Sequence, residues 1–196
     1  MKLTFGAALL TASMLAAPAF AQITVIPMPP APTPTATGPA VGPNTPVTPL
    51  TSADTKFVRA QLEGNLAEIQ MAQLALQKSQ DQNIRNFAQK MITDHTAANG
   101  TLTPIAQRHD IAMPTTLDPA HQEMLDRLSR LNGVAFDVAY INGMIRAHSE
   151  VIKQLDHQTI NGRSTTINVW VANTRPVVMQ HLQIAQEIKA ELPRTG

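Results

Sequence analysis

The sequence predicts an all-α fold, a four-helix bundle with one long crossover, carried behind a proline-rich linker. Three observations lead there. From Ser52 onward apolar residues recur at steps of three and four, and no segment sustains the period-two alternation of a strand. Four long periodic segments pair into two tight hairpins, and a stretch of about twenty residues joins the hairpins. Residues 22–52, 31 in all, hold nine of the chain's 15 prolines, so they have no core of their own.

The chain begins with residues 1–21, MKLTFGAALLTASMLAAPAFA, which read as an export signal. Lys2 supplies the positive start, Leu9, Leu10, Met14 and Leu15 the apolar middle, and Ala19-Phe20-Ala21 the small residues before a cleavage site. Cleavage after Ala21 and a periplasmic or cell-envelope location are expected. The run is short and contains Gly6 and Pro18, which argues against a retained membrane anchor, so the mature protein is expected to have no transmembrane segment. Residues 22–52 follow as a Pro/Thr-rich disordered linker. Proline denies the backbone a donor and pushes the preceding residue toward extended conformations, which makes this segment a semi-stiff tether. A spacer is the simpler reading of it, a proline-rich ligand the other.

The bundle domain is expected over residues 53–192. Its first long segment, about Asp54–Ser79, places Val58, Leu62, Leu66, Ile69, Ala72 and Leu76 on one stripe, with Thr51 or Ser52 as cap. The second, about Gln82–Asp110, carries Ile84, Phe87, Ala88, Met91, Ala98, Leu102 and Ile105 behind Asp81 as cap. Pro104 falls inside it and predicts a bend, since the apolar spacing runs on. Met113-Pro114 is the expected stop. Asp118-Pro119 starts a short helix, with aspartate at the cap and proline at the first helical position, and Asn132-Gly133 is expected to end it. The third long segment, about Ala135–Thr159, buries Phe136, Tyr140, Met144, Ala147, Val151 and Leu155. After the turn signal Asn161-Gly162, the fourth, about Ser164–Glu191, uses Ile167, Trp170, Val171, Thr174, Val178, Leu182, Ala185 and Ile188, with a kink expected at Pro176. Helices of this length reach roughly 40 Å, a distance that residues 111–132 can span, so the topology is ferritin-like rather than simple up-down.

Composition excludes several functions. A net charge of +1 gives no electrostatic reason to expect nucleic acid. No cysteine means no disulfide, thiolate metal site, cysteine nucleophile or lipoprotein anchor. No glycine-rich phosphate loop, Ser-His-Asp arrangement or zinc-protease motif occurs. With 15% charged residues, the solvent faces must rely on Gln, Asn, Thr and Ser.

Four ionisable residues interrupt or flank the apolar stripes. His95 lies four beyond Met91, His148 four beyond Met144, His181 three beyond Val178, and Glu68 shares an edge with Gly64, Met71 and Ala75. Counted from the helix ends, Glu68 lies roughly 18 Å and His95 and His148 roughly 22 Å from one end of the bundle, with His181 within one or two turns of that level. One carboxylate and three imidazoles can therefore share a layer. Neutral imidazole binds zinc, iron or copper, and a carboxylate offsets part of the ion's charge. A metal site for one such ion and a purely hydrogen-bonded polar layer both account for the pattern. Asp94, adjacent to His95, points about 100° away and can support a ligand from behind. Asp137 is too far from His148 to join the centre and, with Phe136 and Tyr140, is expected to organise the start of its helix. His109, His121 and His157 read as solvated.

These residues also carry a resemblance. Ala67-Glu68-Ile69, Phe87-Ala88 with Met91, Asp94-His95, Phe136-Asp137 with Tyr140, His148, Pro176 and His181-Leu182 are similar to the pattern of DUF4142, a ferritin-like family of exported bacterial proteins of unknown function, over residues 57–189. The resemblance implies a four-helix bundle and an envelope location, and no activity. The di-iron Glu-x-x-His pattern of the wider group is missing, because Ile92 and Val178 stand three residues before His95 and His181. The functional expectation is a non-enzymatic envelope bundle that binds one Zn, Fe or Cu ion through Glu68, His95, His148 and His181. A metal-dependent oxidoreductase or storage protein, and a metal-free interaction or stress-protective module, are the alternatives. Protein partner and oligomeric state stay open.

Overall fold

The computed structural model describes residues 48–193, so the expected export signal and nearly all of the linker lie outside the described residues. Five helices follow in order: α1 (Ser52–Lys78), α2 (Gln82–Arg108), α3 (Pro119–Ser129), α4 (Gly133–Asn161) and α5 (Thr165–Glu191), with no strand among the described residues. None of these helices is long and apolar enough to cross a membrane.

Local chemistry accounts for where each helix starts. Thr51, not Ser52, caps α1: its hydroxyl oxygen accepts from the Asp54 amide at 3.0 Å while the hydroxyl donates to the Asp54 carboxylate at 2.8 Å. Asp81 caps α2 by accepting from the Asn83 and Ile84 amides, and Asp118 caps α3 by accepting from Ala120 and His121, with Pro119 in the first turn. Ser164 caps α5 by accepting from the Ile167 amide.

Two helix ends differ from the sequence expectation. Helix α2 stops at Arg108, ahead of Met113-Pro114, because Asp110 adopts a left-handed backbone (φ 54°). The Ile111 amide then reaches back to the Ala106 carbonyl at 2.9 Å and that of Asp110 to Gln107 at 3.3 Å, which closes the end and buries Ile111. Helix α3 ends at Ser129 by itself, and Asn132-Gly133 opens α4, with Gly133 at φ 54°. Helices α2 and α5 continue through Pro104 and Pro176.

The connectivity is that of a ferritin-like bundle with one long crossover. Lys78, at the end of α1, donates to the Leu131 carbonyl at 2.8 Å and to Asn132 at 3.1 Å, tying the end of the crossover to the α1–α2 turn. At the opposite end the buried Asp54 accepts from Gln158 at 2.7 Å and from the Arg163 amide at 3.3 Å, tying the α4–α5 turn to the start of α1.

The core is divided. One apolar cluster runs from Ala67 through Met71, Phe87, Met91, Tyr140, Met144 and Ala185. The other holds Val58, Leu62, Leu102, Leu155, Trp170 and Val178. On every long helix the break falls at the same height, where Glu68, His95, His148 and His181 are all buried. On α1 the line through Glu68, Met71 and Ala75 faces inward, whereas Leu66, Ile69 and Leu76 are only half-buried on its flanks. The edge that sequence periodicity treats as marginal is the centre of that helix's contact face.

Candidate metal centre

Each long helix contributes one residue to the layer. Helix α2 projects His95, α4 His148 and α5 His181, and one nitrogen from each of these buried rings lies within 4.8 Å of the other two. Ring centroids are 5.3 Å apart for His95–His181 and His148–His181, and 5.9 Å apart for His95–His148. Helix α1 brings Glu68 alongside, with Oε2 at 2.8 Å from His95 Nε2 and Oε1 at 3.6 Å from His148 Nδ1. All four expected residues therefore meet, the three imidazoles converging on one another and the carboxylate beside them.

The remaining partners set the proton positions. His148 Nδ1 faces the Met144 carbonyl at 2.8 Å, and a carbonyl only accepts, so that nitrogen donates. His181 Nε2 donates to Asp94 Oδ2 at 2.8 Å, and Lys90 holds the same oxygen at 2.9 Å. His95 Nδ1 meets Asn65 Oδ1 at 2.9 Å; because Asn65 spends its amide hydrogen on Asn99 at 2.7 Å, its oxygen is the acceptor and His95 Nδ1 the donor. In the neutral rings this leaves His95 Nε2, His148 Nε2 and His181 Nδ1 as bare lone pairs. Two of them, His148 Nε2 and His181 Nδ1, stand 3.3 Å apart. His95 Nε2 is buried and, although near Glu68, has no aligned hydrogen-bond partner.

Electrostatics act on His181, Glu68 and Asp94. Burial pulls the His181 imidazolium down, His95 and His148 add repulsion, and Asp94 only partly opposes them, so its pKa falls to about 4. Burial would raise the Glu68 carboxyl, but the charges of His148 and His95 and the His95 contact outweigh it and hold it at about 2. Burial also works against the Asp94 carboxylate and is outweighed by His181 and Lys90, which keep its pKa below the ordinary value. At neutral pH the layer therefore presents a neutral His181 lone pair beside an anionic carboxylate.

This donor set fits one transition-metal ion. Metal–nitrogen bonds of about 2.0–2.1 Å at tetrahedral angles place neighbouring donors roughly 3.3–3.4 Å apart, the spacing that His148 and His181 already have. His95 has to move inward from the wider spacing, and its unpartnered Nε2 loses no aligned bond in doing so. Behind each ring stands an acceptor, the amide of Asn65, the carbonyl of Met144 or the carboxylate of Asp94, as expected of outer groups that orient metal-binding imidazoles.

Asp94 thus occupies the supporting position that its place next to His95 suggests, but it supports His181 instead. Asp137 and Tyr140 are buried near the start of α4, and Asp137 Oδ1 and the Tyr140 hydroxyl lack partners among the described residues. Of the other histidines, His121 pairs with Asp118 at the start of α3, His109 is half-buried and His157 exposed. Sequence reasoning missed Asn65, Asn99, Lys90 and the Met144 carbonyl. A signal for the first two exists: Asn65 lies three residues before Glu68 and Asn99 four after His95, at the layer's own height.

Comparison with known proteins agrees with this architecture. Residues 40–188 match the family described as "Domain of unknown function (DUF4142)". The fold is similar to the crystal structure of a DUF305 fragment from Deinococcus radiodurans, with a TM-score of 0.65 and 16% sequence identity, over 74% of this chain and 100% of that one. At that identity the likeness is one of fold alone. No curated protein matches the chain.

Proposed function

We propose that this chain, which belongs to the DUF4142 family, is an exported cell-envelope bundle protein that binds one transition-metal ion, zinc, iron or copper, through His95, His148 and His181. Glu68 supplies the compensating negative charge and an oxygen as the fourth donor within reach. The observation that carries the reading is the 3.3 Å approach of His148 Nε2 to His181 Nδ1, two nitrogens whose rings donate elsewhere. Lone pairs so close repel unless a proton or a cation lies between them, and a cation there would also be within reach of the His95 ring. Export rests on the Lys2-led apolar run ending in Ala19-Phe20-Ala21, and the linker then serves as the tether between the processed end and the bundle.

The centre is suited to one ion. Di-iron oxidation chemistry uses several bridging carboxylates, and among the described residues the only carboxylates against these rings are Glu68 and Asp94. We assign no catalytic reaction. Oxygen consumption or ferrous oxidation by the loaded protein is the readout that gives it one.

Metal analysis of the purified protein beside its His148→Ala variant tests the proposal. One ion per chain, lost in the variant, is the expected result. Negligible metal in both after exposure to zinc, ferrous iron and copper overturns it, and leaves the layer as a hydrogen-bonded device that fixes helix register.

A further inference from the structure

Away from the histidine layer, the crossover helix α3 lies against α4. The fit is close at Gly143, where a Cβ would meet the end of the Met124 side chain at 3.4 Å. Beside this contact a cleft of about 210 Å3 opens between the two helices, lined by Met124, Arg127, Leu128, Ala139, Asn142 and Arg146.

Its polar side chains are two guanidiniums and one amide, and no carboxylate lines it. Arg127 comes from the last turn of α3, and Asn142 and Arg146 from successive turns of α4. Each arginine has a carboxylate four residues away on its own helix, the spacing at which helical ion pairs form: Glu123 for Arg127 and Glu150 for Arg146. Neither pair is made. Glu150 is held by Lys153 at 3.1 Å, and no ion pair among the described residues includes Glu123, Arg127 or Arg146. The half-buried Asn142 amide likewise has no hydrogen-bond partner among the described residues.

Guanidinium is charged at every working pH, so two that share a cleft without a carboxylate repel unless an anion joins them. Their planar forks of N–H donors match the oxygens of a phosphate group, two bonds to each fork. Size narrows the choice further. The cleft is smaller than the roughly 300–1,000 Å3 of pockets that enclose drug-sized ligands, so it takes one oxyanion group and not a whole nucleotide. Met124, Leu128 and Ala139 make the rest of the wall apolar, which strengthens charged hydrogen bonds made against it.

We infer that the α3–α4 cleft binds a phosphate group, held between Arg127 and Arg146 with the Asn142 amide as a further donor. The inference stands apart from the metal assignment, with which it shares no residue. Free phosphate and the phosphate of a lipid headgroup present the same chemistry to this cleft.

Calorimetric titration of the full chain with inorganic phosphate tests it, beside Arg127→Gln, Arg146→Gln and two controls. One control is Arg59→Gln, which removes an exposed arginine from α1, and the other is His148→Ala. The expected result is one phosphate per chain, bound about tenfold or more weakly in either cleft variant and unchanged in both controls. Phosphate should also raise the Tm of the unmodified protein and not that of the cleft variants, because an anion joining α3 to α4 binds only the folded chain. Sedimentation with vesicles distinguishes the two sources. Binding to phosphatidic acid but not to phosphatidylcholine, lost in the cleft variants, identifies a lipid headgroup; phosphate binding without vesicle binding identifies free phosphate. The inference is overturned if neither vesicles nor phosphate up to about 10 mM bind saturably. An equal loss in Arg59→Gln overturns it as unspecific attraction, and a loss confined to His148→Ala overturns it by placing the anion at the histidine layer.

Discussion

His148 and His181 face each other across 3.3 Å with nitrogens that carry no proton when both rings are neutral. One ring is turned by the Met144 carbonyl one helical turn earlier, the other by Asp94 on a different helix. Neither orientation serves packing alone, because each points a lone pair into the space between two apolar clusters. The consequences can be measured.

Metal binding should stabilise the fold, because an ion held by α2, α4 and α5 together binds only the folded chain. At a free concentration about a thousand times Kd the gain is about 4 kcal/mol. Thermal melts with and without zinc should show this as a rise in Tm, and the rise should vanish in His148→Ala.

Asp94→Asn should weaken metal binding about 10- to 100-fold with little change in fold, since it removes the charged acceptor that orients His181. Competition with a chelator of known affinity measures it. Equal affinities would show that the lysine-bound carboxylate serves only the surface of the helix.

In the metal-free chain, Tyr140→Phe should be stabilising by about 1 kcal/mol, because it removes a buried hydroxyl with no partner while keeping the ring between Phe136 and Phe87. Urea denaturation compares the two. A loss of stability would show that the hydroxyl has a partner.

Asp54 makes the stability of the bundle depend on acid. Burial works against its charge, but hydrogen bonds from Gln158, Thr51 and the Arg163 amide outweigh this and lower its pKa. A carboxyl lowered on folding contributes stability above its unfolded pKa of about 3.9, and the contribution is lost as pH falls through the lower folded value. Asp54→Asn should therefore cost about 1.5–3 kcal/mol at pH 7, a difference that shrinks as pH drops below about 4. Urea midpoints of both proteins against pH give the comparison.

Asp110→Gly should stabilise by about 0.5–1 kcal/mol, because the left-handed turn that ends α2 strains any residue with a Cβ. An unchanged or lower urea midpoint would show that the aspartate side chain compensates the strain.

The fold was largely legible in the sequence because its determinants are local. Thr51, Asp81 and Asp118 cap helices through amides two or three residues away, so their roles are written in adjacent letters. The misplaced ends are those that depend on one backbone angle. Asp110 and Gly133 take positive φ, and neither Asp-Ile nor Asn-Gly states in advance whether it closes one helix or opens the next. On α1 an inward face carrying Asn65, Glu68 and small alanines looked like an edge, because apolarity marks a core only where the core is apolar.

Sequence by itself determined the level at which Glu68, His95, His148 and His181 stand, since the rise of an α-helix is constant and the turns between helices are readable. Only the tertiary structure decided which nitrogen of each ring looks inward, that Asp94 serves His181 instead of its neighbour His95, and that Asn65 and Asn99 hold the third ring. The reason is rotational. Height along a helix follows from counting residues, whereas the turn of a side chain about its own bonds is set by acceptors on other helices, which become neighbours only when the bundle closes.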